Sequence, residues 1–216
     1  MYSLLGEVNV MPVNVTPITV RKILPGVIAM QGAGPKQLTP LQAPRLSFWN
    51  YVLLCGGDWM WDYVSDRESD PSWVKGALTT GTAIFSTDGS FRPKVDALVS
   101  GAGWVIACTK TRRTLEGSFY KRASSASSYQ GELLGLVAIH TFILVAATYY
   151  NLLQLTGTIC CDCQSALNKS RKKARRVQAS TKQANLFRSL RRIHSKMPTP
   201  VITYVWVKTH VNGTTT

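Results

Sequence analysis

From residue 81 onward, short apolar runs alternate with turn residues, a pattern typical of strands rather than of long helices. The second and third runs flank a polar turn and predict a hairpin. The pair Asp88-Gly89 is expected to stop the first strand. The predicted strands cover residues 82–87, 103–109, 115–120, 158–161 and 201–208.

Helical patterns separate the later strands. A long apolar stretch predicts a helix over 130–150, and a basic segment predicts another over 164–177. Four apolar residues recur at spacings of four, three and four, which places them on one face of a further helix. They are Leu186, Leu190, Ile193 and Met197. The order of three strands, helix, strand, helices and strand predicts an α/β fold with a mixed five-stranded sheet and helices on its faces.

The long apolar helix has a second interpretation. The run from Leu133 to Leu153 has no formal charge over 21 residues, a length that can span a bilayer. His140 and Thr141 interrupt it, and Glu132 stands at its start. A core helix buried on most sides explains the same composition, so a single-pass membrane protein is the less favoured alternative.

The first 80 residues differ from the rest. We expect a loosely ordered lead-in over 1–47 and a Trp-rich helical appendage over 48–80, followed by the main domain over 81–216. Four of the six tryptophans lie in the appendage. Acidic residues surround them and would repel phosphate, so packing against the main domain is favoured over a platform for stacking bases.

Positive charge is concentrated in the second part of the chain. The formal net charge is +14, yet residues 1–80 sum to zero. Eleven basic residues lie between Lys169 and Lys196 with no acid among them. Such a field suits a polyanion, either nucleic acid or an anionic membrane surface. With 45% hydrophobic and only 17% charged residues, the chain is not a disordered polyelectrolyte.

Cysteine usage bears on the compartment. Five cysteines without framework spacing indicate reduced thiols, and the N-terminal residues lack the pattern of a secretory signal. We therefore expect an intracellular protein, cytoplasmic or nuclear.

Three acids stand where strands and a helix would bring them together. Asp88 lies at the end of the first predicted strand, Glu132 at the start of the apolar helix, and Asp162 directly after the fourth strand. Separately they could be a turn, a helix-terminal charge and a cap. Together they form a set that Mg²⁺ or Mn²⁺ would neutralise, and two such ions can hydrolyse a phosphodiester.

The motifs around these acids resemble type 1 ribonuclease H, most closely the domains attached to the reverse transcriptases of retroelements. The resemblance covers about residues 81–213 and lies in the combination and order of short motifs. They are TDGS at 87–90, GAGW at 101–104, Glu132, CDCQ at 161–164, and WVKTH at 206–210.

The resemblance implies divalent-metal-dependent hydrolysis of the RNA strand of RNA–DNA hybrids. Asp88 would bridge two Mg²⁺ ions, for which Mn²⁺ can substitute, while Glu132 and Asp162 would each hold one. His210 matches a mobile histidine that assists proton transfer or product release. These four residues are the expected catalytic set.

The resemblance also implies a nucleic-acid interface. Gly89, Ser90 and Gln164 would lie along the hybrid, with Gln164 at the minor groove where 2′-hydroxyls mark RNA. A basic protrusion would grip phosphates, which gives salt-dependent affinity without sequence choice. Its residues would be Lys169, Arg171, Lys172, Lys173, Arg175, Arg176, Arg188, Arg191 and Arg192.

Departures from the family pattern shape the expectation. The family has a fourth carboxylate on a closing helix, whereas no acid follows Asp162 here. We therefore expect a C-terminally truncated member with weak or absent catalysis, once joined to a reverse transcriptase module in a longer polyprotein. A non-catalytic nucleic-acid-binding module with the same fold is the alternative.

Two other nucleases of related fold fit less well. A proofreading-type exonuclease would want an acid two residues after Asp88, where Ser90 stands. Transposase and integrase relatives order their acids Asp, Asp, Glu, whereas this chain reads Asp, Glu, Asp.

Overall fold

The computed structural model describes residues 8–10, 18–24, 27–31, 46–55, 58–65, 70–171 and 182–208. The chain divides into two compact units, Met1–Arg45 and Leu46–Thr216. The described part of the first unit is an antiparallel sheet in the order β1-β2-β3. Its strands are β1 (Val8–Val10), β2 (Ile18–Leu24) and β3 (Val27–Gln31). The boundaries at 47 and 80 drawn from the sequence stay a prediction.

The second unit contains the longer strands and all the described helices. In chain order its elements are α1 (Phe48–Leu54), a short 3-10 helix (Asp58–Trp61), β4 (Tyr63–Val64), α2 (Trp73–Thr80), β5 (Ala83–Phe91), β6 (Val99–Cys108), β7 (Thr114–Arg122), α3 (Ser128–Tyr149), β8 (Gln154–Cys161), α4 (Gln164–Arg171), α5 (Ala184–His194) and β9 (Thr199–Trp206).

One mixed sheet organises this unit. Its strand order is β4-β7-β6-β5-β8-β9. The pairs among β4, β7, β6 and β5 are antiparallel, whereas β8 runs parallel to both β5 and β9. The α/β fold predicted from the element order is confirmed, and the two-residue β4 adds a sixth strand at one edge.

The core lies between the sheet and α3. Strand β6 alternates strictly, so Ala102, Trp104, Ile106 and Cys108 are buried while the residues between them are half-buried. Helix α3 is buried on most of its circumference. It is long and apolar enough to cross a membrane, yet most of its apolar window is buried inside the protein. Burial in a core therefore accounts for the run of apolar residues.

Aromatic side chains from the segment before α2 pack into the same core. Trp49 and Trp61 are buried, and the Trp61 ring meets the Trp104 ring edge-on at 5.7 Å. Phe48 meets Phe142 of α3 in the same way at 5.5 Å. Such pairs add about 0.5–1.5 kcal/mol each beyond the area that they bury. Packing, rather than base stacking, explains these tryptophans.

Strand β5 is longer than the sequence predicts. It continues through Asp88 and Gly89 to Phe91, and Ser90 still pairs with Gly101 of β6. The prediction that Asp88-Gly89 stops the strand is therefore wrong. Gly89 stands here for a different reason, because a side chain at this position would meet the backbone of α3.

Candidate metal centre and nucleic-acid interface

The site begins where two parallel strands end at the same edge of the sheet. Thr87 of β5 is paired with Cys161 of β8, so Asp88 and Asp162 each stand one residue beyond that pair. Asp88 remains within β5, whereas Asp162 is the first residue after β8. Parallel pairing thus brings two predicted acids, 74 residues apart in the chain, to neighbouring positions.

Helix α3 approaches β5 unusually closely because small residues line the contact. A Cβ on Gly89 would meet the backbone nitrogen of Glu132, and one on Gly131 would meet the carbonyl oxygen of Gly101. A Cβ on Gly135 would meet the Thr87 hydroxyl. Only glycine permits this distance, which lets Glu132 reach the strand end.

Hydrogen bonds fix the start of α3. The Ser127 hydroxyl caps the helix by accepting from the Gln130 N–H at 3.1 Å. Ser100 of β6, fully buried, accepts from the Ser127 N–H at 2.9 Å and lies 3.0 Å from the Ser127 carbonyl oxygen. The helix begins at Ser128, two residues earlier than the sequence predicts, so Glu132 lies in its second turn.

Glu132 is the buried acid of the site, with 5% of its surface exposed. Its Oε1 accepts the Gly89 N–H at 2.9 Å, and its Oε2 accepts the Cys161 thiol at 3.5 Å. One ligand atom each from Glu132, Cys161 and Asp162 lies within 4.8 Å of the other two. The structure therefore brings together two of the three predicted metal ligands, together with a thiol.

Electrostatics at this cluster favour a cation. Burial, reinforced by the negative charges of Asp162 and Asp88, raises the pKa of Glu132 to about 7. Burial also raises the pKa of the Cys161 thiol, which keeps it a hydrogen-bond donor. A divalent cation between the two carboxylates would offset the repulsion that raises the pKa of Glu132.

Asp88 occupies the opposite side of the sheet from α3. Its side chain is exposed and is not part of the close group of ligand atoms found among the described residues. It lines a cavity of about 640 Å³ on the free face of the sheet, together with Ser86, Glu116, Ser118 and Tyr63. Asp88 thus borders the cluster from the solvent side and remains close enough to act on Glu132 by charge.

The end of β9 holds the loop that carries Asp162. The indole Nε1–H of Trp206 donates to the Asp162 carbonyl oxygen at 2.7 Å. The backbone N–H of Val207 donates to the Cys161 carbonyl oxygen at 3.2 Å. His210, the predicted histidine of the site, lies outside the described residues.

The predicted nucleic-acid contacts near the acids are divided between exposed and packed positions. Ser90 on β5 and Gln164 at the start of α4 are exposed, whereas Gly89 packs against α3. Lys169 on α4 is exposed, and its ammonium lies over the rings of Tyr129 at 5.3 Å and Phe187 at 5.8 Å.

The basic segment is only partly described. Arg171 ends α4, and the following predicted contacts lie outside the described residues. On α5, Arg188 and Arg192 are exposed and Arg191 is half-buried. The apolar face predicted for this helix is confirmed, since Leu186 and Leu190 are buried. The predicted contacts outside the described residues are Lys172, Lys173, Arg175 and Arg176.

Sequence reasoning missed three residues that matter here. Nothing in the sequence distinguishes Cys161 from an ordinary strand cysteine, and only its orientation toward Glu132 shows that it joins the cluster. Trp206 belongs to the WVKTH motif, which assigns it no role. His194 stands among basic residues, a pattern typical of a surface position, yet its ring lies 4.7 Å from that of buried His140. The Tyr204 hydroxyl forms a hydrogen bond with the same His140 at 2.8 Å. Their sequence signal is weak because each contact joins distant segments.

Comparison with known proteins gives structural matches only. No family model matches the sequence, and no curated protein does. The ribonuclease H domain of prototype foamy virus is 17% identical, with a TM-score of 0.45 over 62% of this chain and 84% of that domain. The protease-reverse transcriptase of the same virus is 16% identical, with a TM-score of 0.46 over 62% of this chain. This chain spans only 18% of the viral protein.

A third match is LC11 ribonuclease H1, from compost, in a complex with an RNA/DNA hybrid. It is 17% identical, with a TM-score of 0.38 over 57% of this chain and 85% of that protein. The sheet order, three antiparallel strands followed by two parallel crossovers, is the decisive feature. This sheet is the α/β, ribonuclease H-like arrangement predicted from the sequence.

The residues present fit the divalent metal that the resemblance of the sequence motifs implies. Two carboxylates converge at one strand end, one of them buried with a raised pKa, and a third borders them. Oxygen ligands of this kind suit Mg²⁺ or Mn²⁺, whereas a thiol is a softer ligand that these ions do not seek. Glu132 and Asp162 would hold the ion, with Asp88 on its exposed side.

Proposed function

We propose that this chain is a divalent-metal-dependent nuclease of ribonuclease H type that hydrolyses the RNA strand of RNA–DNA hybrids. The convergence of Glu132 and Asp162 at one strand end, bordered by Asp88, is the observation that carries the proposal. Bound Mg²⁺ ions would supply Lewis-acid activation of water and stabilisation of the leaving oxygen.

The chain's own residues would hold and orient the reacting groups. Glu132 is kept in one orientation by the Gly89 N–H, so its carboxylate cannot turn away from the strand end. Asp88 faces solvent and would meet the scissile phosphate first. His210 stays a proposed proton-transfer residue.

Affinity for the substrate would come from the basic surface. Lys169, Arg188 and Arg192 are exposed on α4 and α5, and no acid separates them in the sequence. Lysine and arginine contacts to phosphate would give binding that weakens steeply with salt. Gln164, exposed at the start of α4, is the proposed minor-groove contact.

The test is a cleavage assay with matched substrates. An RNA–DNA hybrid, a DNA duplex and an RNA duplex of one sequence are incubated with Mg²⁺ or Mn²⁺. We expect the wild type to cut only the RNA strand of the hybrid, and only when the metal is present. We expect Asp88→Asn to cut none of the three substrates. Equal cleavage by this variant would contradict the proposal. The impaired catalysis expected from the sequence is part of the proposal, and turnover measures it.

A non-catalytic nucleic-acid-binding module is the second candidate. The observation that favours it is the basic surface of α4 and α5, which does not involve the carboxylates. Within that surface the ammonium of Lys169 is held over two aromatic rings. Salt-dependent binding of hybrid by wild type and Asp88→Asn alike, with no cleavage by either, would select this candidate.

A further inference from the structure

Trp206 connects the last strand to the candidate metal centre. It ends β9, where it pairs with Cys161 across the parallel ladder. Two donors from this point reach the neighbouring strand end, namely the Val207 N–H to the Cys161 carbonyl and the Trp206 indole N–H to the Asp162 carbonyl. The chain around Asp162 is therefore held from β9 at two consecutive carbonyl oxygens.

Position in the chain makes the second of these bonds important. Asp162 follows the last residue of β8, so the regular strand ladder no longer orients its peptide. The indole bond, at 2.7 Å, is short for an N–H donor and sets the direction of the Asp162 carbonyl. The carbonyl and the side chain share one Cα, so the bond holds the backbone from which the carboxylate extends toward Glu132.

Trp206 is poorly suited to be a simple packing residue. Its surface is 47% exposed, whereas Trp61 and Trp104 of the core are almost fully buried. A tryptophan used only for packing would bury its rings and gain about 25 cal/mol per Å². Here the polar edge of the indole makes the short contact, and much of the ring faces solvent.

We propose that Trp206 is a positioning residue for the metal centre: its indole N–H orients Asp162 so that the carboxylate meets Glu132 at a divalent cation. This inference rests on the proposed function. Groups that orient metal ligands through hydrogen bonds commonly change metal affinity by 10- to 100-fold when they are removed.

The experiment measures Mn²⁺ binding by electron paramagnetic resonance on the full chain, without substrate. Trp206→Phe keeps an aromatic ring and removes the donor. Trp59→Phe is the matched control, because Trp59 is a half-buried tryptophan that packs on Phe119 and under Lys121. We expect Mn²⁺ affinity to fall roughly 10- to 100-fold in Trp206→Phe and to stay unchanged in Trp59→Phe.

The outcomes separate this inference from the proposed function. Wild-type binding that Trp206→Phe retains within twofold would overturn the positioning role and leave the nuclease proposal standing. A wild type that binds no Mn²⁺ at millimolar concentration would overturn both. Restored hybrid cleavage by Trp206→Phe at high Mn²⁺, with an unchanged KM for the hybrid, would support the positioning role.

A second measurement uses the wild type alone and tests the proposal even if Trp206→Phe does not fold. In the wild type, the indole Hε1 resonance of Trp206 is followed by NMR while Mg²⁺ is added. We expect it to shift more than the Hε1 resonance of Trp59, because its acceptor belongs to a metal ligand. Equal or smaller movement at Trp206 would count against the proposal.

Discussion

Replacing Glu132 by Gln tests whether burial and the neighbouring carboxylates make the charge of Glu132 unfavourable in the metal-free protein. Gln has the same shape, and its amide oxygen can still accept the Gly89 N–H, so packing and this hydrogen bond are retained. The substitution removes the charge, and it replaces the oxygen that accepts the weak Cys161 thiol hydrogen bond by an amide nitrogen. Because the site is buried and lies next to Asp162, removing that charge should stabilise the metal-free protein.

The magnitude follows from the pKa of Glu132. Its rise from 4.5 to about 7 corresponds to about 3 kcal/mol, at about 1.4 kcal/mol for each pH unit. A carboxyl whose pKa is raised by folding binds its proton more tightly in the folded state. The protein therefore loses stability as the pH rises from 4.5 through 7, and Glu132→Gln escapes that loss.

Urea unfolding at a series of pH values in metal-free buffer is the assay. The free energy of unfolding of Glu132→Gln should exceed that of wild type by about 3 kcal/mol at pH 8, and the difference should vanish near pH 4.5. Added Mg²⁺ or Mn²⁺ should reverse the order, since it stabilises only the site that retains the charge. A difference that does not change between pH 4.5 and 8 would refute the reasoning.

Three further predictions concern the core, the helix contact and the basic surface. Burial lowers the pKa of His140 to about 3, so the unfolded chain binds a proton there that the folded protein does not, and stability falls as the pH drops below 6.5. The free energy of unfolding of wild type, compared with that of His140→Gln in urea titrations, should therefore fall by roughly 2–3 kcal/mol between pH 7 and 4.5. Gly135→Ala should lower the free energy of unfolding by roughly 1–3 kcal/mol, because the added methyl group would collide with Thr87 of β5. Gly76→Ala, in open space on α2, should leave that free energy unchanged or raise it. Equal urea unfolding midpoints for the two variants would contradict this reasoning. Arg188→Ala and Arg192→Ala should each lower the slope of log affinity for hybrid against log salt by about 1, and unchanged slopes would exclude them as phosphate contacts.

Much of the fold could be predicted because local periodicity reports burial. Alternation in β6 and the spacing of apolar residues in α5 reflect which side faces the core. The strand predicted at β6 and the apolar face predicted for α5 are confirmed. Gly89 shows where this reasoning fails. A glycine after an aspartate is typical of a turn, but here it accommodates a helix packed onto the strand, a contact that no local pattern encodes.

The acids of the candidate site could be predicted from the sequence, whereas the residues that contact those acids could not. Asp88, Glu132 and Asp162 stand out because acids are rare in the basic half of the chain. Cys161 and Trp206 carry no comparable signal. Their roles depend on which way a side chain points from a strand end and on which strand lies alongside.

The order of strands and helices, the concentration of positive charge from residue 81 onward, and the three acids that a metal could use all follow from the amino-acid sequence. The depth of each acid follows from the packing of the folded chain. Glu132 is buried and its pKa is raised to about 7, whereas Asp88 faces solvent on the other side of the sheet. The physical reason is that charge and periodicity belong to single residues and short windows. Depth and distance arise from strand register and from the close contact of α3 with β5.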